Sequence, residues 1–232
     1  MIKLKEHQKI PINFIKNNRG LILFHSTGSG KTLTALFSMY QFDKDIIIIG
    51  PKSSRKAFSD NIAKANLDPS RVTFHSYKKI KNTIESNIDI FNNKSVIIDE
   101  AHNLRNENKG NLFLISALSM AYKIILLTAT PVINYLNDLA VLVNIIKNND
   151  ILPTERKLFN NMYYDEDEFK IINDNILKNK LKNCISYYKQ IDDGNYPQIT
   201  TTFIEVTMNK EQLEQYAYYI KKIILEDKKV MD

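Results

Sequence analysis

The sequence contains little of what builds disulfide frameworks, zinc centres or membrane spans. Cys184 is its only cysteine, so no intrachain disulfide can form and a reducing, intracellular environment is expected. His25 and His75 have no ligand spacing with other histidines or with the cysteine, which disfavours a zinc site. No run of about twenty apolar residues occurs, and residues 1–15 lack an apolar segment of signal-peptide length. The sequence therefore predicts no membrane association.

Length and charge set wide limits on the kind of protein. The 232 residues suggest one large domain or one and a half, and 44% hydrophobic content is enough to bury a substantial core. The net charge of +6 favours a polyanionic partner such as nucleic acid. The basic residues are spread along the chain, so solubility and a lysine-rich coding bias explain the excess equally well.

Glycine is also scarce, with six in the chain, but two of the six lie in the loop HSTGSGKT at residues 25–32. An apolar run precedes this loop and a helix-like pattern follows it. Gly28 and Gly30 permit backbone angles that turn successive N–H groups inward, where they join the positive end of the helix in binding an anion. We expect Lys31 to reach the β- and γ-phosphates of ATP and Thr32 to ligate magnesium. The predicted ATP-binding residues of the loop are Ser26, Thr27, Gly28, Ser29, Gly30, Lys31 and Thr32.

A carboxylate pair follows a second apolar run, in the sequence DEAH at residues 99–102. Open α/β sheets bind ligands at the carboxyl ends of their strands, where Asp99 would hold magnesium through water. Glu100 is the candidate for polarising the attacking water, and His102 for contacting the γ-phosphate region or the segment after the next strand. Two acids after a strand also occur in simple solvated turns. The phosphate loop earlier in the chain favours the catalytic interpretation.

The alternation of strand-like and helix-like segments predicts the fold class. Apolar runs rich in isoleucine alternate with segments whose apolar residues recur every three or four positions. This rhythm predicts an α/β fold with a mostly parallel sheet, helices on both faces and right-handed crossovers. Predicted strands lie at about 21–25, 45–50, 71–75, 95–99 and 123–128. Predicted helices lie at about 6–17, 31–42, 53–65, 77–85, 110–121 and 135–147.

Further segments, taken in order with the two motifs, carry a family resemblance. They are LKEHQ (4–8), GPKSS (50–54), FHSYKKI (74–80), LLTATPVINYLNDL (126–139) and ISYYK (185–189). The chain resembles the N-terminal RecA-like, ATP-binding lobe of superfamily 2 helicases. Within them it looks most like the Swi/Snf branch and the nucleoside triphosphatases and early transcription factors of poxviruses and other large DNA viruses. The resemblance implies that Gln8 contacts adenine.

A change in composition after Asn148, and a break at Gly194 and Pro197, divide the chain into three predicted segments. Residues 1–149 would be the RecA-like lobe, and residues 150–198 a charged, mainly helical extension with an acidic patch at 165–168. Residues 199–232 would add a strand at 199–206 and a helix from Lys210, which complete the lobe or lead to a second one.

Roles in binding nucleic acid and in coupling follow from the same resemblance. The residues predicted to contact nucleic acid are Lys52, Ser53, Ser54, Ser76 and Tyr77. Those predicted to couple the nucleotide site to nucleic acid are Thr128, Ala129 and Thr130. Simpler alternatives remain open: Ser53 could only cap a helix, Tyr77 could pack or stack, and the threonines could fill a strand.

The implied function is ATP hydrolysis coupled to movement on nucleic acid, with duplex DNA favoured and RNA possible, in viral transcription inside the virion or host cytoplasm. In this family a second RecA-like lobe supplies an arginine finger, which is worth several powers of ten in rate. No segment here resembles the motifs of that lobe, so we expect it elsewhere in the full protein or in trans, and weak activity from this chain alone. The alternative is a nucleic-acid or protein-binding subunit with a structural or vestigial nucleotide site. A P-loop kinase is disfavoured, because TATP and DEAH have no place in one.

Overall fold

The computed structural model describes residues 2–105, 108–189, 200 and 202–228. The chain divides into two compact units, Met1–Ile191 and Asp192–Asp232. None of the helices in the described part of the chain combines the length and the apolarity that crossing a membrane requires.

A six-stranded parallel sheet forms the centre of the first unit. Its strands are β1 (Gly20–His25), β2 (Ile46–Gly50), β3 (Val72–Ser76), β4 (Ser95–Asp99), β5 (Lys123–Thr128) and β8 (Ile185–Tyr188), in the order β3-β2-β4-β5-β1-β8. Every pair in this sheet is parallel. Two further strands, β6 (Tyr164–Asp165) and β7 (Lys170–Ile171), form a short antiparallel hairpin. The α/β fold with a mostly parallel sheet is therefore confirmed.

Helices cover both faces of this sheet. They are α1 (Glu6–Phe14), α2 (Lys31–Tyr40), α3 (Ser54–Lys64), α4 (Tyr77–Ser86), α5 (Lys109–Leu118), α6 (Asp138–Lys147), α7 (Arg156–Tyr163) and α8 (Asp174–Leu181). The second unit contains α9 (Lys210–Lys228), which agrees with the helix predicted from Lys210.

Period-two alternation along the strands creates two cores, one on each side of the sheet. The first contains Ile22, Ile47, Ile49, Val96, Ile98, Ile124 and Leu126, with side chains of α4, α5 and α6. The second contains Leu21, Leu23, Ile46, Ile48, Ile97, Ile125 and Leu127, with side chains of α2 and α3. Strands buried on both faces are apolar at nearly every position, which is why their runs were readable in the sequence.

Helix α6 begins later than predicted, at Asp138 rather than at residue 135. Residues 135–137 precede α6 because the Asp138 carboxylate accepts hydrogen bonds from the backbone N–H groups of Ile133 and Asn134, at 3.0 and 2.9 Å. These bonds hold the segment after β5 as a loop. Asn137, directly before α6, donates from its side chain to the Thr154 carbonyl at 2.7 Å.

Two expectations for the second half of the chain are wrong. Residues 185–188 are not part of a helical extension: they form β8, which pairs with β1 at the edge of the sheet. Buried side chains of residues 150–184 also join the first core, among them Phe159, Tyr163, Leu177 and Cys184. The change in composition after Asn148 therefore does not mark the end of the first unit.

The second wrong expectation is the strand at 199–206. Among its described residues, 200 and 202–206, none is in a strand. A β-strand exists only through hydrogen bonds to a neighbouring strand. Phe203, Ile204 and Val206 are each at least 80% exposed, so the apolar pattern here does not reflect burial in this structure.

Candidate nucleotide and nucleic-acid site

The phosphate loop runs from the end of β1 to the start of α2. Gly28 and Gly30 have φ angles of 79° and 83°, in the left-handed region that the sequence predicted for them. A Cβ atom on Gly30 would lie 2.6 Å from the Gln8 side-chain nitrogen. Thr27 and Gly28 are exposed at the crest, whereas the Ser29 hydroxyl is buried without a hydrogen-bond partner. The two glycines therefore supply the left-handed turns of the loop, and the Ser29 hydroxyl lies inside it without a partner.

Lys31, the first residue of α2, turns its amine into the loop. Its Nζ donates to the backbone carbonyls of His25 at 2.8 Å and Ser26 at 3.1 Å. Burial lowers the pKa of Lys31, while the negative charges of Asp99 and Glu100 raise it. The pKa of Lys31 therefore responds to both carboxylates of the DEAH segment.

The DEAH segment begins at the end of β4 and forms a small polar network. Glu100 has a φ of 53°, which is uncommon for a residue with a side chain. The His102 Nδ1 lies 3.3 Å from Glu100 Oε2 and 3.2 Å from Thr128 Oγ1. The Thr130 hydroxyl is 3.5 Å from the same nitrogen, and the Thr130 N–H donates to Thr128 Oγ1 at 3.0 Å. His102 therefore connects Glu100 to the end of β5, where Thr128, Ala129 and Thr130 lie.

Helix α1 brings the adenine candidate against the phosphate loop. Gln8 is 5% exposed, and its side-chain amide donates to the Gly30 carbonyl at 3.4 Å. The Gln8 Oε1 accepts from the Lys5 N–H at 2.9 Å, which fixes the amide orientation. Next to it, His7 Nε2 lies 3.0 Å from the Ser29 carbonyl oxygen.

Strand β8 supplies residues of this site that sequence reasoning missed. The Tyr188 ring stacks on His7 with centroids 3.7 Å apart, and the Tyr188 carbonyl accepts from the Ser26 N–H at 2.9 Å. His25, fully buried, lies 2.9 Å from the Ser186 hydroxyl. Burial, followed by the nearby His7 and Lys31, lowers the pKa of His25 to about 4, so this imidazole is neutral at neutral pH. The ISYYK segment was visible in the sequence, but a four-residue strand lacks a periodic signal of its own.

The residues predicted to contact nucleic acid lie in the turns that follow β2 and β3. Lys52 and Ser53 are exposed before α3, and the Ser53 side chain makes no capping hydrogen bond. Ser54 begins α3. Ser76 does cap α4, by accepting from the Lys79 N–H at 3.3 Å. Tyr77 lies apart from the others, because its ring packs against the core and its hydroxyl faces the DEAH segment.

Comparison with known proteins places this geometry in a family. The SNF2-related domain matches residues 44–231 of the chain. The chain belongs to the SNF2-related family. The Acanthamoeba polyphaga mimivirus protein named "Putative ATP-dependent RNA helicase L538" is 62% identical over 231 residues, 100% of this chain and 52% of that protein. The early transcription factor 70 kDa subunit of vaccinia virus (strain Copenhagen) is 29% identical over 199 residues, 77% of this chain and 30% of that protein.

A solved structure agrees with the fold of this SNF2-related domain. The Sulfolobus solfataricus SWI2/SNF2 ATPase core in complex with dsDNA matches with a TM-score of 0.66 and 18% identity, covering 83% of this chain and 46% of that chain. The SNF2-related chain spans about half the length of its mimivirus relative and less of the vaccinia protein.

The donor set of the SNF2-related domain fits a magnesium ion shared with a nucleotide. Among the described residues, no group of three or more His, Cys, Asp or Glu side chains could enclose a metal ion. Asp99 and Thr32 instead offer one carboxylate and one hydroxyl. Magnesium is usually held by one or two such protein oxygens together with phosphates and water.

Proposed function

We propose that this SNF2-related domain is the ATP-hydrolysing lobe of a nucleic-acid-dependent translocase of the helicase type. The reaction would convert ATP and water to ADP and phosphate. The observation that carries the proposal is that the phosphate loop, the DEAH segment and Thr128 stand at the carboxyl ends of the adjacent parallel strands β1, β4 and β5. Ligands of open α/β sheets bind at this edge.

Each residue then has a distinct role. The loop N–H groups from Ser26 to Thr32 would hold the phosphates, and the Lys31 amine would exchange its two carbonyl acceptors for phosphate oxygens. Magnesium, held by Thr32 and Asp99, would supply charge neutralisation on those phosphates. Glu100 would take the proton from the attacking water, and His102 would orient the Glu100 carboxylate. Gln8, fixed beside the loop, would contact adenine.

We propose that the domain binds nucleic acid and moves along it. The exposed turns after β2 and β3 carry Lys52, Ser53 and Ser54, and then Ser76, at the starts of α3 and α4, where backbone N–H groups can bind phosphates. The mimivirus relative is named "Putative ATP-dependent RNA helicase", the vaccinia relative is an early transcription factor subunit, and the solved structure is a complex with dsDNA. We favour duplex DNA, with RNA possible, and a role in viral transcription within the virion or host cytoplasm.

Hydrolysis at full rate would need a second RecA-like lobe, in the same protein or in trans. This lobe contributes the loop, the carboxylates and the metal ligands, whereas an arginine finger would come from the other side of the nucleotide. We therefore expect the 232-residue chain alone to bind ATP and to hydrolyse it slowly. Turnover of about 1 s⁻¹ or faster, stimulated by DNA, in the isolated chain would contradict this expectation.

Two substitutions test the assigned roles on the longest natural form of the protein that contains residues 1–232. Lys31→Ala should abolish binding of a fluorescent ATP analogue. Glu100→Gln should retain binding and lower hydrolysis by about 100-fold or more. Lys64→Ala and Glu85→Gln, both at exposed helix positions, are the matched controls and should behave as wild type. Unchanged turnover in Glu100→Gln would remove Glu100 from its role.

One observation favours the alternative of a binding subunit with a structural nucleotide site. The loop is already held by internal contacts: Lys31 bonds its carbonyls, and β8 bonds the Ser26 N–H. A nucleotide titration separates the two functions. If Lys31→Ala binds the ATP analogue no more weakly than wild type does, the alternative is favoured.

A further inference from the structure

The hydroxyl of Tyr77 contacts the backbone of the catalytic segment. Tyr77 is the first residue of α4, directly after the serine that caps this helix. Its oxygen lies 2.9 Å from the Asp99 carbonyl oxygen and 3.0 Å from the Glu100 carbonyl oxygen. A tyrosine hydroxyl has one proton to donate, so the two carbonyls share it.

The contacted peptide has an unusual conformation. Glu100 has φ 53° and ψ 49°, angles that a residue with a side chain keeps only when its surroundings hold it there. Its carbonyl accepts from three donors: the Tyr77 hydroxyl, the Asn103 N–H at 3.0 Å and the Asn103 side-chain amide at 2.9 Å. The Asn103 donors come from the turn itself, whereas Tyr77 comes from a different element. Tyr77 is therefore the external support of this peptide.

The donor is available under ordinary conditions. A tyrosine hydroxyl has an ordinary pKa of about 10 and keeps its proton at neutral pH.

Tyr77 also lies within the candidate nucleic-acid segment at the start of α4. Ser76 precedes it, and exposed Lys78 and Lys79 follow it on the first turn of α4. A phosphate bound at this turn would engage the N–H groups and lysines beside Tyr77. Any shift of the turn would then reach the Glu100 peptide through one hydroxyl group.

We propose that Tyr77 is a positioning residue that transmits the binding of nucleic acid at the start of α4 to the backbone of Glu100. The inference rests on the proposed function, and it replaces the predicted contact between Tyr77 and nucleic acid. The physical link has few steps. A bound phosphate would contact the first turn of α4, where the Tyr77 hydroxyl contacts the Glu100 carbonyl, and this carbonyl belongs to the same residue as the Glu100 carboxylate.

The test removes one oxygen atom. Tyr77→Phe keeps the ring that packs against the core and deletes the donor. Tyr40→Phe is the matched control, since the Tyr40 hydroxyl also donates to a backbone carbonyl, that of Asp68 at 2.6 Å, away from the site. Both variants are made in the longest natural form of the protein that contains residues 1–232. ATP hydrolysis is measured with and without a short duplex DNA, together with the Kd values of the ATP analogue with magnesium and of the labelled duplex.

We expect Tyr77→Phe to lower the stimulation of kcat by duplex DNA about fivefold, the rate equivalent of one ordinary hydrogen bond. Both Kd values should stay within about twofold of wild type, and Tyr40→Phe should keep the full stimulation. Wild-type stimulation in Tyr77→Phe overturns the inference and leaves the proposed function intact. A weaker Kd for the duplex in proportion to the lost stimulation overturns it in favour of direct contact. A wild-type protein without any stimulation removes the proposed function, and the inference with it.

Discussion

Replacing Gly30 by alanine should damage both folding and nucleotide binding, because two physical effects coincide at this residue. Gly30 has a φ of 83°, and an alanine in the left-handed region is destabilised by about 1–2 kcal/mol. The added Cβ would also lie 2.6 Å from the Gln8 side-chain nitrogen, so the Gln8 amide must move. That movement disturbs the 2.9 Å hydrogen bond from the Lys5 N–H. We expect a loss of about 2 kcal/mol in the free energy of unfolding, or roughly 4–8 °C in Tm.

The matched control is Gly110→Ala in α5. This glycine has an ordinary φ, and the new Cβ would meet the flexible stem of Lys81 at 3.0 Å. Alanine is a better helix former than glycine, so this variant should be as stable as wild type or more stable by up to about 1 kcal/mol. Tm is measured by differential scanning fluorimetry, with and without ATP and magnesium. The reasoning fails if Gly30→Ala keeps the wild-type Tm and the wild-type shift on adding nucleotide.

Three other predictions concern single side chains. The pKa of His25 is about 4 in the folded state and 6.5 in the unfolded state, so between these pH values the unfolded state binds more protons. The free energy of unfolding should therefore fall as the pH drops from about 6.5 to about 4. Urea titrations across that range should show a smaller fall in His25→Gln. Asp138→Ala should lower the free energy of unfolding by about 2–3 kcal/mol, because it leaves two loop N–H groups without their carboxylate. Asp138→Asn should lower it less. A urea midpoint of Asp138→Ala equal to that of wild type would contradict this. Tyr188→Ala should weaken ATP binding by releasing His7, which contacts the Ser29 carbonyl of the loop. Tyr188→Phe preserves the stack and should bind as wild type in a fluorescence titration.

The central part of the fold and of the candidate site was predictable because its signals are local. Strands β1, β2, β4 and β5 are mostly apolar runs buried on both faces, whereas the edge strand β3 is only partly buried. The boundaries of all five agree with prediction to within one residue. Gly28, Gly30 and Lys31 lie within one loop, so their spacing alone indicates a phosphate-binding turn. The polar contact of His102 with Thr128 was expected as a link, but only the fold shows which atoms make it.

The parts that the sequence did not predict depend on distant partners. Strand β8 has four residues and is a strand only because β1 presents a free edge more than 150 positions earlier in the chain. Tyr188 and His7 come from opposite ends of the first unit, and no spacing rule connects them. Residues 202–206 show the reverse case, in which an apolar pattern without a partner strand forms no strand. Roles in catalysis and nucleic-acid contact stay predictions until the variants are measured.

The position of β8 also has a consequence for folding during translation. The phosphate loop leaves the ribosome early. The Ser26 hydroxyl at the edge of this loop, however, donates to the carbonyl of Tyr188, which lies 162 residues later in the chain. At about 5–20 residues per second, ribosomes need roughly ten to thirty seconds to synthesise that stretch. During this interval one edge of β1 has no neighbouring strand and remains open to pairing with other nascent chains. The nucleotide pocket is thus among the first parts of the unit to be synthesised and among the last to be completed.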